Sequence, residues 1–335
     1  MSCCCESKGC NEGAKVLAVI FDLDGTLLNT ELDREKEEKK RLGMTQKDSA
    51  AIIVNDYELP LTPDQFIKEI TPLYRERWAK AKALPGANRL VKKNFVPHCP
   101  EALRYAKLES SFSLSTILFQ FHHSSKKSNC CRFEEAAKKI CVDAVNCLVI
   151  EDSLVGVKAA NAAKMKIVAV PSRREADCHG LANVVLHSLL EFQPELWGLP
   201  PFDDWLDNTL PIDPIHLSGL YVSGCLEEAT ENATLVFPDQ AVGLYFGWAK
   251  VDTDGNFKIL VSINIDFSCV GYKRIHVYLI DANSDLKHKQ KMQIHLVGYI
   301  RAWDNKEFTS TELEKLEEYK SIARASLDLP SFTCL

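Results

Sequence analysis

The sequence predicts an α/β protein in two parts, a parallel sheet with helices followed by a small antiparallel β-barrel or sandwich. Three observations carry this expectation. Apolar runs at residues 15–21 ("KVLAVIF"), 147–152 ("CLVIED") and 166–172 ("KIVAVPS") alternate with helical stretches, the pattern of a parallel sheet buried on both faces. A proline- and aromatic-rich stretch without helical period, "WGLPPFDDWLDNTLPIDPIHLSG" at 197–219, marks a boundary. Beyond it come short alternating runs, "GLYFGWAKVD", "FKILVSINID", "RIHVYLID" and "MQIHLVGYIRAW", whose spacing suits a small barrel or sandwich. With 335 residues, 46% of them hydrophobic, the chain can fill two cores.

Taken in order, the first run, 15–21, reads as a central strand. From Thr30 to about Lys93 the pattern is helical and charged. "ELDREKEEKKRLG" is a helix with a solvated face, and "TPDQFIKEITPLYRERWAKAKAL" a helix with an apolar stripe. After the second strand, "SLVGVKAANAAKM" is a small-residue helix able to pack closely on a sheet. "STELEKLEEYKSIARASLDLP" closes the chain as an amphipathic helix behind a Ser/Thr cap.

Composition narrows the function. A net charge of −6 offers no electrostatic ground for a nucleic-acid partner. No apolar run approaches the ~18 residues of a membrane span, and "MSCCCESKGCNEG" lacks the features of a secretory signal. A cytoplasmic protein is expected. The 13 cysteines are scattered, which favours reduced thiols. Cys3, Cys4, Cys5 and Cys10 read as part of a disordered tail over 1–14, rather than as a metal or acylation site.

The chemistry concentrates in "FDLDGT". Asp22 and Asp24 sit two apart, so an extended chain points both the same way. Gly25 allows a sharp exit and Thr26 offers a hydroxyl. A second apolar strand ends in Glu151 and Asp152, and together the four acids supply hard oxygens suited to magnesium. One carboxylate can attack phosphorus while another moves a proton. The plain alternative is two ordinary solvated strand ends.

These phrases resemble a known family. "FDLDGTLLNTE" is similar to the first signature of the haloacid-dehalogenase-like phosphatases, and "LVIEDSLVGVKAANAAKM" to their fourth. The resemblance implies a Rossmann-like domain over 15–196 with a helical cap at about 30–93. It implies Asp22 as nucleophile and Asp24 as general acid/base. Mg²⁺ would be held by Asp22, the Asp24 backbone carbonyl, Glu151 and Asp152. It further implies Thr26 at the substrate phosphate, and Lys127 as the lysine that neutralises it. The prolines and aspartate of the family's lysine motif are missing around Lys127. Between Leu90 and Phe112 the family has a strand ending in a phosphate-binding hydroxyl residue. Here "VKKNFVPHCPEALRYAKLESS" is shorter, so loss of that strand is expected.

Past a linker at 197–214, residues 215–335 resemble riboflavin kinase through "PIHLSGLYVSG", "GLYFGWAKVD", "LVSINI" and "LEKLEEYKSIARASLDLP". The join resembles that of plant-type bifunctional FMN hydrolase/riboflavin kinase proteins. By that resemblance the first part removes phosphate from FMN and the barrel transfers phosphate from ATP to riboflavin. The barrel departs from its pattern at three points. "CLEEATENATLVFPDQAVG" lacks Pro-Thr-Ala-Asn, "SINIDFS" lacks Trp-Asn-Pro, and the position of the catalytic glutamate holds His276. Eroded kinase chemistry is therefore expected. A silent flavin- or partner-binding protein, or a phosphatase for another small ester, are the competing readings. Tyr245, Phe246 and Trp248 are expected in a core rather than a flavin pocket, and His122-His123 on a surface loop.

Overall fold

A computed structural model describes residues 15–29, 46–79, 81–93, 130–171, 178–227, 240–251, 255–265, 273–281, 289–302 and 310–332. The chain divides into two compact units, Met1–Leu186 with Pro194–Pro200, and His187–Gln193 with Pro201–Leu335.

The first unit is built on a sheet of four strands, β1 Ala18–Phe21, β2 Cys147–Glu151, β3 Lys166–Ala169 and β4 Val184–Val185, which lie in the order β1-β2-β3-β4. All its pairings are parallel. Every residue of β2 is buried, which explains its unbroken apolar run. The helix Leu154–Ala162 buries Val157, Ala159 and Ala160, so small side chains let it lie close on the sheet. Among the described residues β1 pairs with β2 alone. The stretch expected to have lost a family strand, 94–112, lies outside the described residues, as does the helix expected at 31–43.

Two helices, Gln46–Asp56 and Pro63–Ala79, lie in the stretch expected to form the cap. The second opens on a reciprocal cap. The Thr62 amide donates to Gln65 Oε1 at 2.8 Å, and the Gln65 amide donates to Thr62 Oγ1 at 3.3 Å. The chain leaves for these helices and returns from them side by side, since the Asn29 amide donates to the Lys82 carbonyl and the Leu84 amide to that of Leu27, both at 2.8 Å. Both connections to the helical stretch are therefore anchored a few residues from Asp22 and Asp24.

The second unit is a closed barrel of six strands, β5 Leu210–Val222, β6 Cys225–Glu227, β7 Gly243–Val251, β8 Gly255–Ile265, β9 Lys273–Leu279 and β10 Gln290–Arg301. Around the barrel they follow the order β10-β5-β6-β9-β8-β7. β5 starts at Leu210, before the expected barrel start at residue 215. Pro211 and Pro214 hide this from sequence reading. Pro214 is tolerated because the β5–β10 register slips between Leu296 and Gly298, leaving residues 212–214 of β5 as a bulge where a ladder donor is not needed, while Pro211 pairs with Gly298 at the start of the strand. Ser223 and Gly224, both at positive φ (49° and 86°), form the two-residue turn from β5 to β6.

Interior-facing residues such as Leu226, Tyr245, Val261, Ile275, Val277 and Ile294 fill the barrel. Alternate residues, among them Phe246, Leu260 and Val297, pack outside with Leu316, Ala323 and Leu327 of the helix Ser310–Ser326 and the turn after it. The aromatic trio is structural. Tyr245 packs edge-on to Tyr299 at 5.3 Å inside, Phe246 meets Phe332 at 5.1 Å outside, and Trp248 Nε1 donates to the Phe332 carbonyl at 3.4 Å.

At Gly247 β7 and β10 leave no room for a side chain, because a Cβ there would sit within the van der Waals shell of the His295 carbonyl oxygen. A backbone atom cannot swing aside as a side chain can. Gly247→Ala is therefore expected to destabilise the barrel by about 3 kcal/mol, read as a lowered denaturant midpoint. An unchanged midpoint would contradict this packing.

Candidate active site

The site forms where β1 and β2 end together. Their register pairs Phe21 with Ile150, and the Asp22 amide donates to the Ile150 carbonyl at 3.0 Å, so the ladder runs one residue past β1. This puts Asp22 beside Glu151. Immediately afterwards the chain turns, with Gly25 at φ 86° and its amide on the Leu28 carbonyl at 2.9 Å. Only glycine enters that region of backbone space without cost.

Oxygens of Asp22, Glu151 and Asp152 lie within 4.8 Å of one another. Glu151 and Asp152 are buried at 3% and 2% exposure. The half-buried Asp24 follows on the turn, and its carboxylate is not a member of that cluster. Burial is the main cause that pushes the Asp22 carboxyl well above the ordinary aspartate value of 3.8. The charges of Glu151 and then Asp24 add to the rise, while the nearby Thr26 side chain and then the Leu23 backbone partly offset it.

Thr26 is the residue that the resemblance assigns to the substrate phosphate. It is 1% exposed, and its Oγ1 donates to Asp152 Oδ1 at 2.9 Å. The hydroxyl is turned inward because a buried carboxylate needs a donor more than an open loop does.

Two residues that sequence reading passed over hold Glu151. Ser153 donates to Oε1 from both its amide (3.1 Å) and its hydroxyl, and the same hydroxyl accepts from the Gly156 amide at 3.1 Å as an N-cap. Gly156 leaves the space that the Glu151 carboxyl occupies, for a Cβ there would overlap Cδ. The signals for them are a serine opening a small-residue helix and a glycine inside its first turn, a position where glycine needs a packing reason.

Lys127 and the His122-His123 pair lie outside the described residues. His276 stands on β9 directly opposite Cys225 of β6, with Nδ1 3.4 Å from the thiol sulfur. Burial first, and then the Arg274 charge, hold its imidazole below the usual histidine value.

A parallel sheet whose adjacent strand ends gather three carboxylates is followed in the chain by a closed six-stranded barrel, an α/β unit with acids at the carboxyl ends of its strands joined to an antiparallel β unit. Comparison with known proteins makes the class specific. The riboflavin kinase (Flavokinase) family model matches residues 224–326. The bifunctional riboflavin kinase/FMN phosphatase of Arabidopsis thaliana is 36% identical over 355 aligned positions, covering 94% of each chain. The chain belongs to this bifunctional riboflavin kinase/FMN phosphatase family. (DL)-glycerol-3-phosphatase 2 of Arabidopsis thaliana is 29% identical over 222 positions, covering 56% of this chain and 92% of that protein. Among solved structures, CbbY from Rhodobacter sphaeroides in complex with phosphate is similar at 21% identity and a TM-score of 0.42, covering 52% of this chain and 96% of that one.

Among the described residues no helix is long and apolar enough to cross a membrane.

Proposed function

We propose that the first half of the chain hydrolyses FMN to riboflavin and phosphate, with Asp22 as nucleophile and Asp24 as general acid/base. The observation that carries this is the clustering of the Asp22, Glu151 and Asp152 oxygens within 4.8 Å. Three hard oxygens so close repel one another, and that arrangement suits a small divalent cation such as Mg²⁺. Asp22, Glu151, Asp152 and the Asp24 backbone carbonyl would hold it. When bound, the cation supplies charge screening that lets an anionic phosphate approach an anionic nucleophile.

The residues themselves do the rest. An Asp22 oxygen attacks phosphorus, and the departing ribityl oxygen takes a proton from Asp24, leaving an aspartyl-phosphate. Asp24 then removes a proton from water as that water attacks phosphorus, which releases phosphate and restores Asp22. Lys127 is assigned to the phosphate charge. We assign Thr26 to fixing Asp152, in keeping with its hydrogen bond.

For the barrel, riboflavin and ATP are the substrates implied by family membership. We rank its phosphoryl transfer below the hydrolase activity, because His276 brings a neutral imidazole to the position of a glutamate. We place the protein in the cytoplasm, in keeping with the scattered cysteines of its sequence.

The test is to incubate the purified chain with FMN and Mg²⁺ and separate the flavins by chromatography, with glycerol 3-phosphate as a second substrate. Riboflavin release that requires Mg²⁺ is the expected result. A folded, Mg²⁺-binding chain that releases none would overturn the proposal.

A further inference from the structure

The hydroxyls of Ser153 and Thr26 decide how the buried acids of the site can present their oxygens. A carboxylate oxygen has two lone-pair directions. Glu151 Oε1 accepts from the Ser153 amide at 3.1 Å and from the Ser153 hydroxyl, so both of its directions are taken. Asp152 Oδ1 accepts from the Thr26 hydroxyl at 2.9 Å. Each acid is therefore held by one oxygen, which leaves Glu151 Oε2 and Asp152 Oδ2 as the oxygens to turn on a cation.

The hold is firm on both sides. The Ser153 hydroxyl cannot rotate away without giving up the helix cap, because the same oxygen accepts from the Gly156 amide at 3.1 Å. Glu151 cannot roll towards the helix beside it, since its carboxyl already fills the space that Gly156 leaves. Thr26 is buried, and its branched Cβ stiffens the side chain.

Cations differ in what they ask of a carboxylate. Ca²⁺ takes about six to eight oxygens at about 2.3–2.6 Å and readily accepts both oxygens of one carboxylate. Mg²⁺ demands near-ideal octahedral geometry at about 2.0–2.1 Å, which the narrow bite of a chelating carboxylate distorts. Chelation needs both oxygens turned to the same ion, and a hydrogen bond that occupies one of them opposes it. We propose that Ser153 and Thr26 make the site selective for Mg²⁺ over Ca²⁺, by limiting Glu151 and Asp152 to one ligand oxygen each. The inference rests on the reading of the acid cluster as a cation site. It makes Ser153 and Thr26 positioning residues that act through the acids they hold.

Calorimetric titration of the full-length chain with Mg²⁺ and with Ca²⁺ tests this, for wild type, Ser153→Gly, Ser153→Thr, Thr26→Val and Thr26→Ser. Glycine caps a helix almost as well as serine but brings no hydroxyl, so Ser153→Gly removes the donor and spares the helix. Wild type is expected to bind Mg²⁺ more tightly than Ca²⁺. In Ser153→Gly and in Thr26→Val that preference should fall by about tenfold or more, with Mg²⁺ binding weakened and Ca²⁺ binding kept or strengthened. Ser153→Thr and Thr26→Ser, which keep the hydroxyl, should retain the preference. Thermal unfolding in chelator verifies that each variant is folded.

A preference that survives Ser153→Gly or Thr26→Val overturns the proposal. This includes the case in which both affinities fall together, because a merely structural role weakens the two ions alike. Wild type that favours Ca²⁺ overturns it as well. A chain that binds neither ion overturns the cation reading and this inference with it. One that shows the preference and its loss, yet releases no riboflavin from FMN, supports the inference and overturns the hydrolase reading alone.

Discussion

Asp22→Asn is expected to remove FMN hydrolysis by at least about a thousandfold, as loss of a nucleophile does, and at the same time to make the metal-free protein more stable. The second effect follows from the site's own electrostatics. Burial and the Glu151 charge raise the Asp22 carboxyl well above 3.8 in the folded chain. The folded state thus binds this proton more tightly than the unfolded one. Its stabilising contribution is complete below the unfolded value, and is lost as pH rises through the folded value. Near neutral pH the ionised carboxylate is a net cost, which a bound cation offsets by mass action. In chelator, wild type should therefore lose thermal stability as pH rises from about 4, whereas Asp22→Asn should lose less and melt higher at pH 7. Added Mg²⁺ should reverse the order. A metal-free Asp22→Asn that melts below wild type at pH 7 would show that Asp22 is not under this repulsion.

Gly156→Ala is expected to leave the fold intact and cripple the site. In a helix alanine is favoured over glycine by about 1 kcal/mol, so the helix Leu154–Ala162 gains. The new Cβ, however, would occupy the place of the Glu151 carboxyl. That side chain is flexible at its far end, so it yields, giving up both hydrogen bonds from Ser153. One oxygen donor then leaves the cluster. A roughly ten- to hundredfold weaker Mg²⁺ affinity is expected, the range seen when the support of a metal ligand is removed. Calorimetric titration with Mg²⁺, together with the Mg²⁺ dependence of riboflavin release, measures it. Unchanged affinity in a folded variant would mean that Glu151 does not ligate.

Much of the fold and of the acid cluster is legible in the amino-acid sequence. Unbroken apolar runs ending in "DLD" and "ED" announce buried parallel strands with acids at their carboxyl ends, because a strand covered on both faces has no room for alternation. The barrel's period-two runs and the small-residue helix are equally plain. The start of β5 is not. Pro211 and Pro214 argue against a strand until the bulge of β5 that holds Pro214 is known.

Residue order along the chain thus dictates the set of elements and the acids at their ends, since these depend on residues within a few positions of one another. Which of them meet is settled in three dimensions. Thr26 turns its hydroxyl to Asp152, 126 residues away, and Gly156 becomes the space for Glu151. Cys225 comes to face His276 across 51 residues. Such partners are set by strand order and register, which fix neighbours across the sheet. No local pattern of side chains records that choice.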